Sequence, residues 1–174
     1  LEGFGGASRT TTLAIRRRLS TGKVWDIVFG ADLTKHSHQS ALYHYVDKFK
    51  PLVIVFGPPC TAFASLAKLN RYKYPETYEK SRAIGLLLVK LTSKLCLMQI
   101  KGNRYFFIEN PAGSELFDLP DLELLNKYTK IHKATFPQCM LGLTTPEGQP
   151  ILKRTTIWTN ALELYYPFTN IVCT

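Results

Sequence analysis

Apolar residues along this chain fall into two rhythms, short unbroken runs and longer stripes that recur every three or four positions. The runs at 52–56 and 105–108 are continuous, that at 24–28 is broken only by Asp26, and each is rich in β-branched or aromatic residues. Such runs predict strands buried on both faces of a sheet. Between them the spacing predicts helices. Residues 10–19 carry Leu13, Ile15 and Leu19, and a second segment, with Ser37 as its expected N-cap, carries Leu42, Tyr45, Val46 and Phe49. From Pro75 the longest stripe runs through Ile84, Leu87, Leu88, Leu91, Leu95 and Met98, and Gly102-Asn103 closes it. A short helix over 119–128, strands at 133–136 and 154–159, and a hairpin tip at 144–150 complete the pattern. Strands alternating with helices predict an α/β fold with parallel strands and right-handed crossovers.

The ends of two runs carry chemistry. Strand 52–56 stops at Gly57-Pro58-Pro59, where two fixed φ angles and two missing N–H donors forbid further pairing, and Cys60 follows. Strand 105–108 stops at Glu109-Asn110-Pro111. Carboxyl ends of parallel strands are where open α/β sheets place ligands. A cysteine there is either a buried core thiol or a nucleophile, and a lone loop glutamate is usually solvated. Together on one sheet edge, a thiol and a carboxylic acid are the parts needed to attack and protonate an electron-poor ring. The glycine-rich start, Gly3-Phe4-Gly5-Gly6, opens a helix and reads as either a flexible start or a cofactor loop.

Composition narrows the setting. The chain has 174 residues, enough for one domain with a real core, and its 45% hydrophobic and 20% charged content is ordinary for a globular protein. The densest apolar patch, 86–89, is flanked by Lys80, Arg82, Lys90 and Lys94, so no membrane partner is expected. Cys60, Cys96, Cys139 and Cys173 lie far apart, which argues against a disulfide framework or a zinc site and for a reducing intracellular compartment, nucleus or cytoplasm. Cys96 falls within the long helix as a small core residue. A net charge of +9 points to a polyanion. Basic residues cluster at 16–18, at 68–73 (Lys68, Arg71 and Lys73) and at 127–133, and Tyr72, Tyr74 and Tyr78 interleave with the second cluster as stacking groups would.

The two loops resemble those of the DNA cytosine-5 methyltransferases. Gly57-Pro58-Pro59-Cys60-Thr61-Ala62-Phe63 is similar to that family's nucleophile loop, and Phe107-Ile108-Glu109-Asn110-Pro111 to its second catalytic loop. The start, with Phe4, Gly5 and Gly6, looks like its S-adenosylmethionine loop. Lys153-Arg154-Thr155-Thr156-Ile157-Trp158-Thr159-Asn160 is similar to its basic catalytic strand in versions from phages and mobile elements.

The resemblance implies a Rossmann-like, class I S-adenosylmethionine-dependent methyltransferase fold. That fold is a single domain over 1–174 with a mostly parallel sheet and helices on both faces. It implies Cys60 as nucleophile, Glu109 as the acid at ring nitrogen 3 and Arg154 as a steadying cation. Phe4, Gly5, Gly6, Asp26, Asp32 and Pro58 would hold the cofactor, with Asp26 at the ribose and Asp32 at the adenine. DNA, or RNA for a relative using the same cysteine loop, would meet Lys68, Arg71, Lys73 and Lys153.

The chain departs from the family in its basic strand. Aligned on Arg154, Pro150 and Leu152 stand where the family has Gln and a first Arg, leaving Lys153 to substitute. The first strand is reduced to Leu1-Glu2 and no target-recognition region follows Asn160. The expectation is therefore a catalytic core that belongs to a longer chain or is completed by a partner. The alternative expectation is a catalytically inactive nucleic-acid-binding or assembly module.

Overall fold

The computed structural model describes residues 1–65 and 67–173. Its centre is a six-stranded mixed sheet in the order β2-β1-β3-β4-β6-β5. The strands are β1 (Glu2–Gly3), β2 (Val24–Trp25), β3 (Val53–Phe56), β4 (Tyr105–Pro111), β5 (His132–Pro137) and β6 (Arg154–Thr159). The first four are mutually parallel, and β6 runs antiparallel to both β4 and β5. The helices are α1 (Arg9–Arg16), α2 (His36–Phe49), α3 (Ala67–Lys73), α4 (Pro75–Lys101), α5 (Pro120–Glu123) and α6 (Leu162–Tyr165). This is an α/β fold compatible with a Rossmann-like arrangement.

The chain leaves β1 for β2 on one side and then returns past β1 to β3 on the other. The strand order therefore reverses between β1 and β3, and the crevice at their carboxyl ends is a topological switch point. With right-handed crossovers, the reversal puts α1 on one face and α2 and α4 on the other. The α4 face holds the main core. Ile54, Phe56, Phe106 and Ile108 alternate into it and meet Leu88, Leu91 and Leu95 of α4 and Leu42 and Val46 of α2. Val53, Val55, Phe107 and Glu109 alternate to the other face and are only half-buried. There Phe136 and Ile157 pack with Phe107 and Phe168, the Phe136 and Phe168 rings stacking at 4.8 Å.

The predicted strands at 52–56, 105–108, 133–136 and 154–159 are present, and Thr144 bridges Pro150 at the hairpin tip. Cys96 is fully buried, and burial pushes its thiol pKa well up. Five local expectations need correction. The strand expected over 105–108 runs on through Pro111, with Glu109, Asn110 and Pro111 paired to Ile157, Thr156 and Thr155 of β6, so Glu109 lies within β4 and not on a loop after it. The strand expected over 24–28 ends at Trp25 because the Asp26 side chain accepts the Val28 N–H at 2.9 Å and starts a 3₁₀ turn. Helix α2 starts at His36, with Lys35 rather than Ser37 at its N-cap. The chain is already turned there by Asp32, which accepts the Thr34 N–H and hydroxyl. Ile84 and Leu87 lie on the outer side of α4, while Gly85, Leu88, Thr92, Leu95 and Gln99 form its buried seam. Tyr78 is core at 7% exposure, its hydroxyl accepting from Arg82, so it is no stacking platform.

By length and a mean hydropathy of 1.6, α4 also meets the criterion for a membrane-crossing helix, with 50% of that window buried inside the fold. A core helix passes the same test.

Candidate active site at the carboxyl ends of β1, β3 and β4

Two loops and the end of a strand meet side by side at the switch point. The first, after β1, is held in strained backbone. Phe4 and Ser8 have φ of 56° and 57° and Gly6 has φ of 53°. For a residue as bulky as phenylalanine, that left-handed conformation is an outlier of the kind that collects at functional sites. Two buried carboxylates hold this loop in place. Glu2 Oε2 accepts from the Thr11 N–H at 2.8 Å and the Thr11 hydroxyl at 2.6 Å, which ties β1 to the first turn of α1. Asp26 Oδ2 accepts the Gly6 N–H at 2.9 Å.

The second loop carries Cys60, which is free and half-buried. Its carbonyl accepts the N–H groups of Phe63 and Ala64 at 2.9 and 2.8 Å, so the chain coils immediately after the thiol. The buried Phe63 ring anchors the coil against Gly85, where a Cβ would come within 2.7 Å of it. The Arg82 guanidinium lies over the same ring, 5.6 Å from its centroid.

The carboxyl end of β4 carries Glu109 and Asn110 and is tied directly to the second loop. Asn110 Nδ2 donates to the Pro58 carbonyl at 2.8 Å, and the Glu115 N–H donates to the Phe63 carbonyl at 2.9 Å. Arg82 also holds Glu115 with two bonds of 3.0 and 3.2 Å. That hydrogen bond lowers the Glu115 pKa, with smaller contributions from the charges of Arg82, Lys68 and Arg71, and raises that of Arg82. Asn110 Oδ1 is buried without a partner among the described residues, the condition a bound water or ligand would relieve.

A cleft of two joined lobes lies on the open face of the sheet. The first lobe, about 320 Å³, is walled by Gly3, Phe4 and Gly5 from β1 and its loop, by Val55 and Gly57 from β3, and by Thr10. The second, about 390 Å³, is walled by Phe136, Gln138, Thr155, Ile157 and Phe168. Arg9, Phe107 and Glu109 line both. Glu109 Oε1 accepts from the buried Thr155 hydroxyl at 3.1 Å, and Thr155 in turn accepts from Gln138 Nε2 at 2.7 Å. Lobes of this size suit small organic ligands.

Of the residues expected from the sequence, Phe4, Gly5 and Glu109 meet in this cleft. Gly6, Pro58 and Cys60 line neither lobe but lie on the loops after β1 and β3, whose neighbouring residues do, and Asp26 follows β2, which supplies no lining residue. Pro58 is buried, and both Asp26 oxygens already accept backbone N–H groups. Asp32 is turned into its own loop. The Thr34 hydroxyl bond, followed by the Thr34 N–H, lowers its pKa, and Lys35 sits 3.6 Å away. Arg154 lines neither lobe. It is exposed, and strand alternation puts it on the side of β6 opposite Thr155, the residue that reaches Glu109. Lys153 is exposed beside it, and Lys68, Arg71 and Lys73 are exposed along α3 with Tyr72.

Sequence reasoning missed Glu2, Arg9, Gln138 and Thr155. An acidic residue in a two-residue strand flanked by glycine was a readable sign for Glu2. The others depend on pairings across strands that no single run displays.

No protein-family model matches the chain, and no curated protein sequence matches it.

Proposed function

We propose that the chain is a class I methyltransferase-like domain that transfers a methyl group from S-adenosylmethionine to carbon 5 of cytosine in DNA. One observation carries this reading. The Cys60 loop leaves β3 beside the end of the adjacent parallel strand β4, which carries Glu109, and the two are joined by the Asn110–Pro58 hydrogen bond. A strained glycine loop leaves the next strand at the switch point.

The first lobe is where the cofactor would bind. A Cβ at Gly57 would come within 3.3 Å of the Phe4 carbonyl, and one at Gly5 would collide with the Glu2 carboxylate. Glycine at these positions lets the Phe4 loop close against β1 and β3, and the lobe beside it is lined by the side chains of Phe4, Arg9, Val55, Phe107 and Glu109. Phe4, Gly5 and Gly6 would hold the cofactor's methionyl end, and Asp26 would act by fixing the Gly6 backbone. Bound S-adenosylmethionine supplies an electrophilic methyl group.

The chain's own residues do the rest. Cys60, as thiolate, forms a bond to carbon 6 of the cytosine, and Glu109 gives a proton to ring nitrogen 3 as the pyrimidine loses aromaticity. Carbon 5 becomes the nucleophile that takes the methyl group. Loss of its proton to a base then expels the Cys60 sulfur and restores the ring. The base must leave a duplex stack to reach these groups, at a cost of a few kcal/mol. Lys68, Arg71, Lys73 and Lys153 offset part of that cost at the phosphates.

Transfer of labelled methyl groups to cytosine-containing oligonucleotides tests this reading, with matched DNA and RNA strands separating the two substrates. Full activity in Cys60→Ser would sink the mechanism. The placement of Cys60 and Arg154 outside the cleft walls favours a second reading, a nucleic-acid-binding module without transfer activity. That reading predicts no calorimetric signal with S-adenosylmethionine but salt-sensitive DNA binding. A cofactor affinity near 1 μM, about −8 kcal/mol, would exclude it.

A further inference from the structure

Thr155 and Gln138 belong to none of the loops that mark the site, yet they hold its carboxylate. The antiparallel register sets Pro111 opposite Thr155 and Glu109 opposite Ile157, so the cleft face of β6 presents Thr155 diagonally to Glu109. Gln138 follows β5 directly, where Pro137 is paired with Arg154. Three side chains from three strands or their ends therefore converge in the second lobe.

Their chemistry allows one order of protons. An amide nitrogen carries two donors and no available lone pair, so Gln138 Nε2, 2.7 Å from Thr155 Oγ1, must be giving a hydrogen bond. The Thr155 hydroxyl has a single proton, and with Gln138 on its acceptor side that proton goes to Glu109 Oε1 at 3.1 Å. Thr155 is fully buried, so no solvent competes for it. Oε1 is committed to accepting. Oε2 has no hydrogen-bond partner among the described residues and lies 3.8 Å from the position a Cβ on Gly57 would take, at the wall of the first lobe.

The geometry points to a proton-placing relay in which Gln138 and Thr155 are positioning residues that keep Glu109 Oε1 an acceptor, so that any proton on Glu109 resides on Oε2. The inference rests on the transferase reading and deepens it. Ring nitrogen 3 of cytosine is an acceptor, so it is met productively by Oε2–H and not by a bare oxygen. The proton passes from Oε2 to that nitrogen as the Cys60 sulfur bonds to carbon 6. It returns to Oε2 when that bond breaks, and Oε1 stays hydrogen-bonded throughout.

The test follows the Glu109 side-chain carboxyl carbon by ¹³C NMR in the full chain, alongside kcat and KM of methyl transfer. Thr155→Val removes the donor to Oε1, so the carboxyl signal moves from its wild-type position and kcat falls about tenfold while KM stays within about twofold. Thr155→Ser keeps the hydroxyl and returns both towards wild type. Gln138→Leu, at a half-buried and more tolerant position, moves the signal the same way by a smaller amount and carries the test if Thr155→Val fails to fold. An unmoved carboxyl signal in Thr155→Val and Gln138→Leu overturns the relay. A wild-type chain that transfers no methyl group, while Thr155→Val still moves the signal, defeats the transferase reading and leaves the relay standing.

Discussion

The two faces of the sheet are built from the same strands and do opposite work. On the α4 face, Ile54, Phe56, Phe106 and Ile108 are fully buried among the apolar residues of α2 and α4. On the other face, the alternate residues Val55, Phe107 and Glu109 line a cleft, and α1 buries none of its own residues. Leu13 and Ile15 on α1 are 57% and 59% exposed. A side-chain period of two lets one strand supply stability to one face and chemistry to the other. The lesson is that the site can tolerate strain at Phe4 and Ser8 because the stability of the strands beneath it comes from the opposite face.

Four substitutions or conditions sharpen or break that contrast. The largest effect is expected at Phe106, whose removal from the core in Phe106→Ala costs about 3–5 kcal/mol in a denaturant titration. Gly85→Ala comes next. Its new Cβ would press on the Phe63 ring at 2.7 Å, so it costs about 1–3 kcal/mol by overpacking. It also disturbs the Cys60 loop, readable as faster labelling of Cys60 by a thiol reagent.

A smaller effect comes from acid. Glu115 has a folded-state pKa below its unfolded one because of Arg82. The stability it contributes is complete above the ordinary glutamate range, about 4.3, and is lost as pH falls from there through the lower folded value. Its side chain is 42% exposed, so screening holds the contribution below about 1 kcal/mol. Comparing wild type with Glu115→Gln between pH 6 and 3 checks the sign, since the wild-type advantage should shrink on acidification. The smallest effect belongs to Leu13→Ser on the open face, within about 0.5 kcal/mol. A cost there approaching that of Phe106→Ala would mean that α1 is packed after all and that the two faces do not differ.

What the sequence displayed followed the same division. The strands over 52–56 and 105–108 were legible as unbroken apolar runs, but only their α4 face is buried, while Val53, Val55 and Phe107 are half-buried on the cleft face. The Cys60 loop was legible because Gly57-Pro58-Pro59 ends β3, whereas the loop expected at Glu109 is strand, since Glu109 to Pro111 go on pairing with β6. Tyr78 misled because its position between basic residues looks identical whether the ring faces solvent or core; only the Arg82 contact separates the two. Ile27 and Val28 extended the apparent second strand, yet Asp26 turns the chain with its own side chain and leaves both exposed. Thr155 and Gln138 were invisible for a deeper reason. Their role exists only in the antiparallel register of β6 against β4 and β5, and a register is a property of pairs of strands.

The central claim is a covalent bond between Cys60 and cytosine carbon 6, and it can be trapped. In an oligonucleotide whose cytosines carry fluorine at carbon 5, the proton whose loss expels the sulfur is absent, so the adduct persists after methyl transfer. Denaturing electrophoresis and peptide mass mapping of the chain incubated with that DNA and S-adenosylmethionine measure it directly. The account predicts a denaturant-resistant protein–DNA species mapped to Cys60, dependent on the cofactor and lost in Cys60→Ser. No adduct from the wild-type chain, or an equal yield from Cys60→Ser, would contradict it.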